Sequence, residues 1–153
     1  MRRTAAAICA SIAAAVLLAP ADAGAAPTGR LWHAICTVES GGDADAYNRK
    51  ERAAGIAQIR PVCLKDVNRI ARLRGEDDRF TGADRNDPAV ARRMWALYLD
   101  HYGRDYTRRT GRPATAEVYA RIWNGGPTGW RKRSTRQYWQ RVRALLRGEE
   151  QEP

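Results

Sequence analysis

The sequence predicts a mainly α-helical single domain of about five helices. Three observations lead there. Apolar residues recur at helical spacing in five stretches, Gly, Pro and capping residues punctuate those stretches, and no pair of alternating runs signals paired strands. A length of 153 residues suits one domain. It is expected to occupy residues 28–148, after a signal peptide at 1–25 and before a flexible tail at 149–153.

The leader reads as "MRRT", a basic start, then "AAAICASIAAAVLLAP", then the small-residue stretch "ADAGAA". That order is the grammar of a cleaved export signal. The apolar run is short for a span of about 20 residues, and no later stretch is long enough to cross a bilayer. An exported protein, periplasmic or extracellular, with no membrane span after cleavage is expected.

Each element has a local reason. Thr28 can cap a first helix whose Leu31, Trp32, Ile35 and Val38 share a face, and Gly41-Gly42 ends it. Residues 43–60 lack helical periodicity and read as a loop, with a hairpin only weakly signalled. "PVCLKDVNRIARLRG" opens on Pro61 and puts Cys63, Val67, Ile70 and Ala71 on one side. After a polar connector, Asp87-Pro88 is the clearest start, an N-cap with proline at the first helical position. Val90, Met94, Leu97, Tyr98 and Tyr102 then keep the helical period until "RTGRP". Thr115 opens a fourth helix with Val118, Tyr119, Ile122 and Trp123, which stops at "NGGPTG". Ser134 and Gln137 suggest a capping box for a fifth helix carrying Tyr138, Val142, Leu145 and Leu146.

The formal charge is +10, and 24 Arg against 3 Lys carry the positive side. Loss of the leader removes Arg2, Arg3 and Asp22, so the charge changes by only one. Such a chain attracts acidic polymers at long range. For an exported protein, anionic cell-wall polymers are the expected partners, and nucleic acid is not. The leader also takes Cys9, leaving Cys36 and Cys63, which in an oxidising compartment read as a disulfide. Two buried free thiols are the alternative. Neither cysteine has Cys or His at ligand spacing, so no metal site is expected.

The catalytic options narrow quickly. There is no G-x-S-x-G, no H-E-x-x-H and no phosphate loop, and His33 and His101 are the only histidines. Chemistry must therefore rest on carboxylates. Glu39 stands out, in the last turn of the first helix beside the negative end of its dipole, where a neutral acid is favoured over a carboxylate. Lifting a Glu from about 4.3 to about 6 takes roughly 2.3 kcal/mol, whereas the dipole supplies about 0.3–1 kcal/mol. Desolvation must provide the remainder, from walls such as Ile35, Trp32 and Trp123.

Three segments in order, "ESGGDADAYN", "AAGIAQIRP" and "IWNGGPTGW", resemble the signatures of SLT-type lytic transglycosylases, a goose-lysozyme-like family. The resemblance spans roughly residues 28–147. It implies a lysozyme-like fold and cleavage of the β-1,4 bond between N-acetylmuramic acid and N-acetylglucosamine in peptidoglycan glycan strands. It implies no cofactor and a monomer. Glu39 matches the catalytic acid, which in that family first protonates the leaving oxygen and then helps form a 1,6-anhydro sugar. By the same resemblance Ser40, Asn48, Gln58 and Asn124 match substrate-binding positions, and Trp123 beside Asn124 is expected to bind substrate with them. The family usually has Tyr before that Asn, with its hydroxyl reaching the glutamate, whereas this chain has Trp123, whose indole can donate but not accept. Two other readings are a hydrolase in which Asp43, Asp45 or Glu51 activates water, and an inactive basic wall-binding protein.

Overall fold

A computed structural model describes residues 29–76 and 79–148. The leader, the Thr28 cap and the tail lie outside them. The elements are α1 (Gly29–Ser40), β1 (Tyr47–Asn48), β2 (Ala53–Ala54), α2 (Pro61–Leu73), α3 (Pro88–Thr110), α4 (Ala116–Gly125) and α5 (Arg136–Gly148), with short 3-10 turns before α3 and α5. The mainly helical, five-helix expectation holds.

The caps explain most boundaries. Asp87 accepts hydrogen bonds from the backbone N–H groups of Ala89 (2.8 Å) and Val90 (3.1 Å), which occupies donors that the helix itself leaves unpaired. Gly111, at φ 67°, closes the same helix in the left-handed conformation. Thr115 accepts from the N–H of Val118 at 3.4 Å to open α4. Helix α5 departs from expectation. It starts at Arg136 out of a 3-10 turn at Arg133–Thr135, so Ser134 and Gln137 form no capping box there. Thr135 organises the entry instead: its buried hydroxyl donates to the Gly129 carbonyl (2.8 Å) and accepts from Arg121 Nε (3.0 Å).

The core is continuous across all five helices. Ile35, Ile70, Met94, Leu99, Ile122 and Val142 are fully buried, and Trp32 meets Trp95 edge to face at 5.3 Å. Helix α3 packs against α2 and α4, while α5 packs against α1 and α4. The start of α5 is thereby brought against the end of α1.

Two expectations need correction. The stretch expected to be a loop contains an antiparallel hairpin, with Tyr47 opposite Ala54 and Asn48 opposite Ala53, extended by a bridge from Ala54 to Ile59. Its strands are too short, and Ala-Ala too poor a β-former, to announce themselves.

The Cys36–Cys63 disulfide is not formed; both are free thiols. They face different surroundings: Cys36 lies near Glu39 and Arg92, Cys63 near Asp66 and Arg60. Burial pushes each thiol up to about 12, so neither is a thiolate at neutral pH. Accordingly, a reductant should leave the melting temperature unchanged, as thermal unfolding with and without dithiothreitol would test. A drop of several degrees would indicate a bond between them.

Candidate active site

Helix α1 stops because two glycines follow it. Gly41 (φ 69°) and Gly42 (φ 86°) adopt conformations that disfavour side chains, and the Gly42 N–H donates back to the Cys36 carbonyl at 3.3 Å. Glu39 is thus held in the last turn, at the edge of a cleft of about 770 Å³. The hairpin segment contributes Asn48, Glu51 and Gln58 to this cleft, α2 contributes Val62, Lys65, Asp66, Arg69 and Arg72, and the end of α4 contributes Trp123 and Asn124.

Glu39 is partly buried, and its Oε1 accepts a hydrogen bond from the Tyr138 hydroxyl at 2.8 Å. Burial raises its pKa above the ordinary carboxylate value. The Tyr138 hydrogen bond and the charges of Arg141 and Arg60 oppose that rise without cancelling it. The tyrosine remains protonated, because burial and the adjacent glutamate both raise its own pKa. It is therefore a standing donor.

Tyr138 is the functional neighbour that the sequence did not reveal. The hydroxyl expected before Asn124, and replaced there by Trp123, reaches the glutamate from α5, 99 positions along the chain. In sequence, Tyr138 looks like the first member of a core stripe, and it is indeed buried at 4% exposure. Only its being the sole hydroxyl-bearing member of that stripe hinted at more.

Four of the five expected binding residues line the cleft: Asn48, Gln58, Trp123 and Asn124. Gln58 takes a left-handed conformation (φ 48°), and its Nε2 donates to the Ala46 carbonyl (3.1 Å) and the Gly55 carbonyl (3.0 Å), locking the hairpin. Trp123 is buried and meets Tyr98 edge to face at 5.8 Å. Asn48 Oδ1 accepts from the Glu51 N–H at 3.2 Å.

Ser40 does not line the cleft. Its hydroxyl donates to the Ile56 carbonyl at 2.8 Å, tying the end of α1 to the Gln58 segment. It acts as a strut between two walls.

Among the carboxylates considered as a base, only Glu51 lines the cleft; Asp43 and Asp45 do not. The Asp43 carboxylate instead accepts from the Asp45 N–H within a turn at 2.8 Å. Glu51 is held by Arg60 at 3.3 Å, and the other arm of Arg60 reaches the Asn124 carbonyl at 3.5 Å, so one guanidinium bridges the two walls. Arg60 was not foreseen, because nothing in "QIRP" marks it out. Among the described residues no group of His, Cys, Asp and Glu is placed to hold a metal ion, and neither histidine lines the cleft.

Tyr138→Phe should leave Glu39 in place but remove the interaction that favours its charged form. Its pKa should rise further, moving the alkaline limb of the kcat/KM profile to higher pH. A pH profile of the variant tests this. A limb that moves to lower pH would show that the hydroxyl stabilises the neutral acid.

No family model matches the chain. Curated relatives do. The chain is 51% identical over 110 residues to a lysozyme of Magallana gigas, covering 71% of this chain and 72% of the relative. It is 34% identical to lysozyme 1 of Crassostrea virginica over 72% of this chain and 55% of the relative. Among solved structures, a chain in the complex of Aeromonas hydrophila PliI with Meretrix lusoria lysozyme superposes with a TM-score of 0.62 at 26% identity, covering 80% of this chain and 93% of that one. Tapes japonica lysozyme superposes with a TM-score of 0.61 at 23% identity over 75% of this chain and 87% of its own, which speaks to the fold. The relatives are lysozymes rather than lytic transglycosylases, so the specific transglycosylase resemblance gives way to the broader one. With half of its residues shared with a curated lysozyme over 71% of its length, and with the five-helix fold in place, the chain belongs to the lysozyme family.

Proposed function

We propose that the protein is a lysozyme-type hydrolase cleaving the β-1,4 bond between N-acetylmuramic acid and N-acetylglucosamine in peptidoglycan. The single observation carrying this reading is Glu39: a carboxyl whose pKa burial raises, held by a tyrosine hydroxyl at 2.8 Å, at the edge of a cleft. A carboxyl whose pKa is raised holds its proton to higher pH than an ordinary glutamate, which suits a general acid.

In the proposed reaction Glu39 gives its proton to the glycosidic oxygen as the bond to the anomeric carbon breaks. A water oxygen bonds to that carbon, and Glu51, the carboxylate on the hairpin side of the cleft, accepts the water proton. Arg60 holds Glu51 at 3.3 Å and so keeps it on the cleft wall. Asn48, Gln58, Trp123 and Asn124 are proposed to contact the sugars. The reaction needs no cofactor. The leader sequence supports export, which would bring the enzyme to its substrate.

The hydrolytic form is favoured over the transglycosylase form because the relatives are named lysozymes and because a second carboxylate shares the cleft. Mass spectrometry of peptidoglycan digested by the purified protein tests the choice. Muropeptides with reducing ends are expected. Anhydro-muropeptides would restore the transglycosylase reading, and an intact wall after prolonged incubation would point to a basic wall-binding protein.

A further inference from the structure

The cleft contains more positive charge than its chemistry uses. Two of its four cations are paired: Arg60 with Glu51 at 3.3 Å, and Arg69 with Asp66 at 2.7 Å. Arg69 is further fixed through the Tyr102 hydroxyl at 3.1 Å. The remaining cleft carboxyl, Glu39, is partly buried and accepts a hydrogen bond from the Tyr138 hydroxyl at 2.8 Å. Lys65 and Arg72 are left. Both are exposed, both line the cleft, and neither has an ion-pair partner among the described residues.

Their spacing is regular. Positions 65, 69 and 72 follow the i, i+4, i+7 pattern of one helix face, which puts Lys65 and Arg72 about 10 Å apart along α2. A neutral glycan offers such a row hydrogen-bond acceptors but no opposite charge. Cations spared from internal pairing, facing a substrate groove, match a ligand that carries carboxylates at intervals beside the sugar chain.

We propose that Lys65 and Arg72, with Arg69 fixed between them, bind the carboxylates of the peptide side chains borne by the muramyl residues. The α2 wall then reads the acidic peptide while the hairpin and α4 walls hold the sugars. This inference rests on the peptidoglycan reading above. Ion pairs of this exposed kind are modest, on the order of 0.2–1 kcal/mol each, and weaken with salt. Selectivity rather than turnover should therefore report them.

The test compares glycan strands that keep their peptides with strands stripped of them by an amidase and then amidated at the lactyl carboxylates that stripping exposes. The wild-type protein is expected to cleave peptide-bearing strands with a severalfold higher kcat/KM, mainly through KM, and the advantage should shrink at high salt. In the Lys65→Gln, Arg72→Gln double variant the ratio should fall toward one. In Lys65→Arg, Arg72→Lys it should be retained. A ratio unchanged by charge removal, or a wild type that prefers stripped strands, would overturn the proposal. A ratio lost equally in the charge-conserving variant would assign the effect to packing and also overturn it. Teichoic acid added as competitor provides a further arm: inhibition of stripped-strand cleavage that depends on Lys65 and Arg72 would name phosphate polymers, not peptide carboxylates, as the ligand. None of these outcomes resembles failure of the enzyme reading itself, in which the wild type would cleave neither substrate.

Discussion

Glu39→Gln should lower turnover on peptidoglycan by about 10²–10⁴-fold, the usual worth of a general acid, and raise thermal stability at pH 7. The two effects share one cause. Burial raises the folded-state pKa of Glu39 above its unfolded value, so the native protein binds the proton more tightly than the unfolded chain. For the wild type, this stabilisation is full below the unfolded pKa and is lost as pH rises through the folded one. Glutamine stays neutral throughout, and its amide oxygen can still accept from the Tyr138 hydroxyl. The variant's gain in melting temperature should therefore be present at pH 7 and shrink toward zero as pH falls below the ordinary carboxylate range. A variant that loses activity and is also less stable at pH 7 would mean that the charged carboxylate is the form the fold prefers.

Gly55→Ala should be among the most damaging changes to the fold. Gly55 sits at φ 78°, and a Cβ there would lie 1.7 Å from the carbonyl oxygen of Arg85. Forcing a methyl group into backbone costs about 1–3 kcal/mol in relaxation, and the left-handed conformation adds about 1–2 kcal/mol. The same position anchors the site. The Gly55 N–H donates to the Ala46 carbonyl at 2.9 Å, and the Gly55 carbonyl accepts from the Gln58 N–H at 3.0 Å. Displacing it would move Gln58 and disturb the hairpin whose turn carries Glu51, so activity should fall along with stability. Gly41→Ala is the control: its φ is 69°, but no atom lies within 4 Å of the added carbon. Urea unfolding of the two variants separates strain from collision. Equal midpoints would show that the Arg85 contact yields at no cost.

Much of this architecture could be read in the residues, and the pattern of success has a physical basis. Helix starts carried by a single side chain were legible, since Asp87 before Pro88 and Thr115 before α4 act on donors two or three residues away. The glycine stop after Glu39 was legible for the same reason. Contacts between distant segments were not. Nothing local shows that Tyr138 will meet Glu39, that Arg60 will bridge Glu51 and Asn124, or that Ser40 will turn toward Ile56. Those contacts follow from the packing of α5 on α1 and of the hairpin against the start of α2. The cysteines illustrate a different limit: two thiols after an export-like leader suggest a pair, but Cys36 is buried, Cys63 half-buried, and each has its own neighbours. Trp123 was expected to wall the glutamate. It lines the cleft and packs perpendicular to Tyr98, and the hydrogen-bond partner of Glu39 comes from another helix.

The most direct measurement is an NMR titration of the side-chain carboxyl carbons in the wild-type protein and in Glu39→Gln. One resonance should titrate above the ordinary carboxylate range and be missing from the variant. If every resonance assigned to Glu39 titrates at or below that range, the glutamate holds no proton to donate near neutral pH, and a different group must do the acid's work.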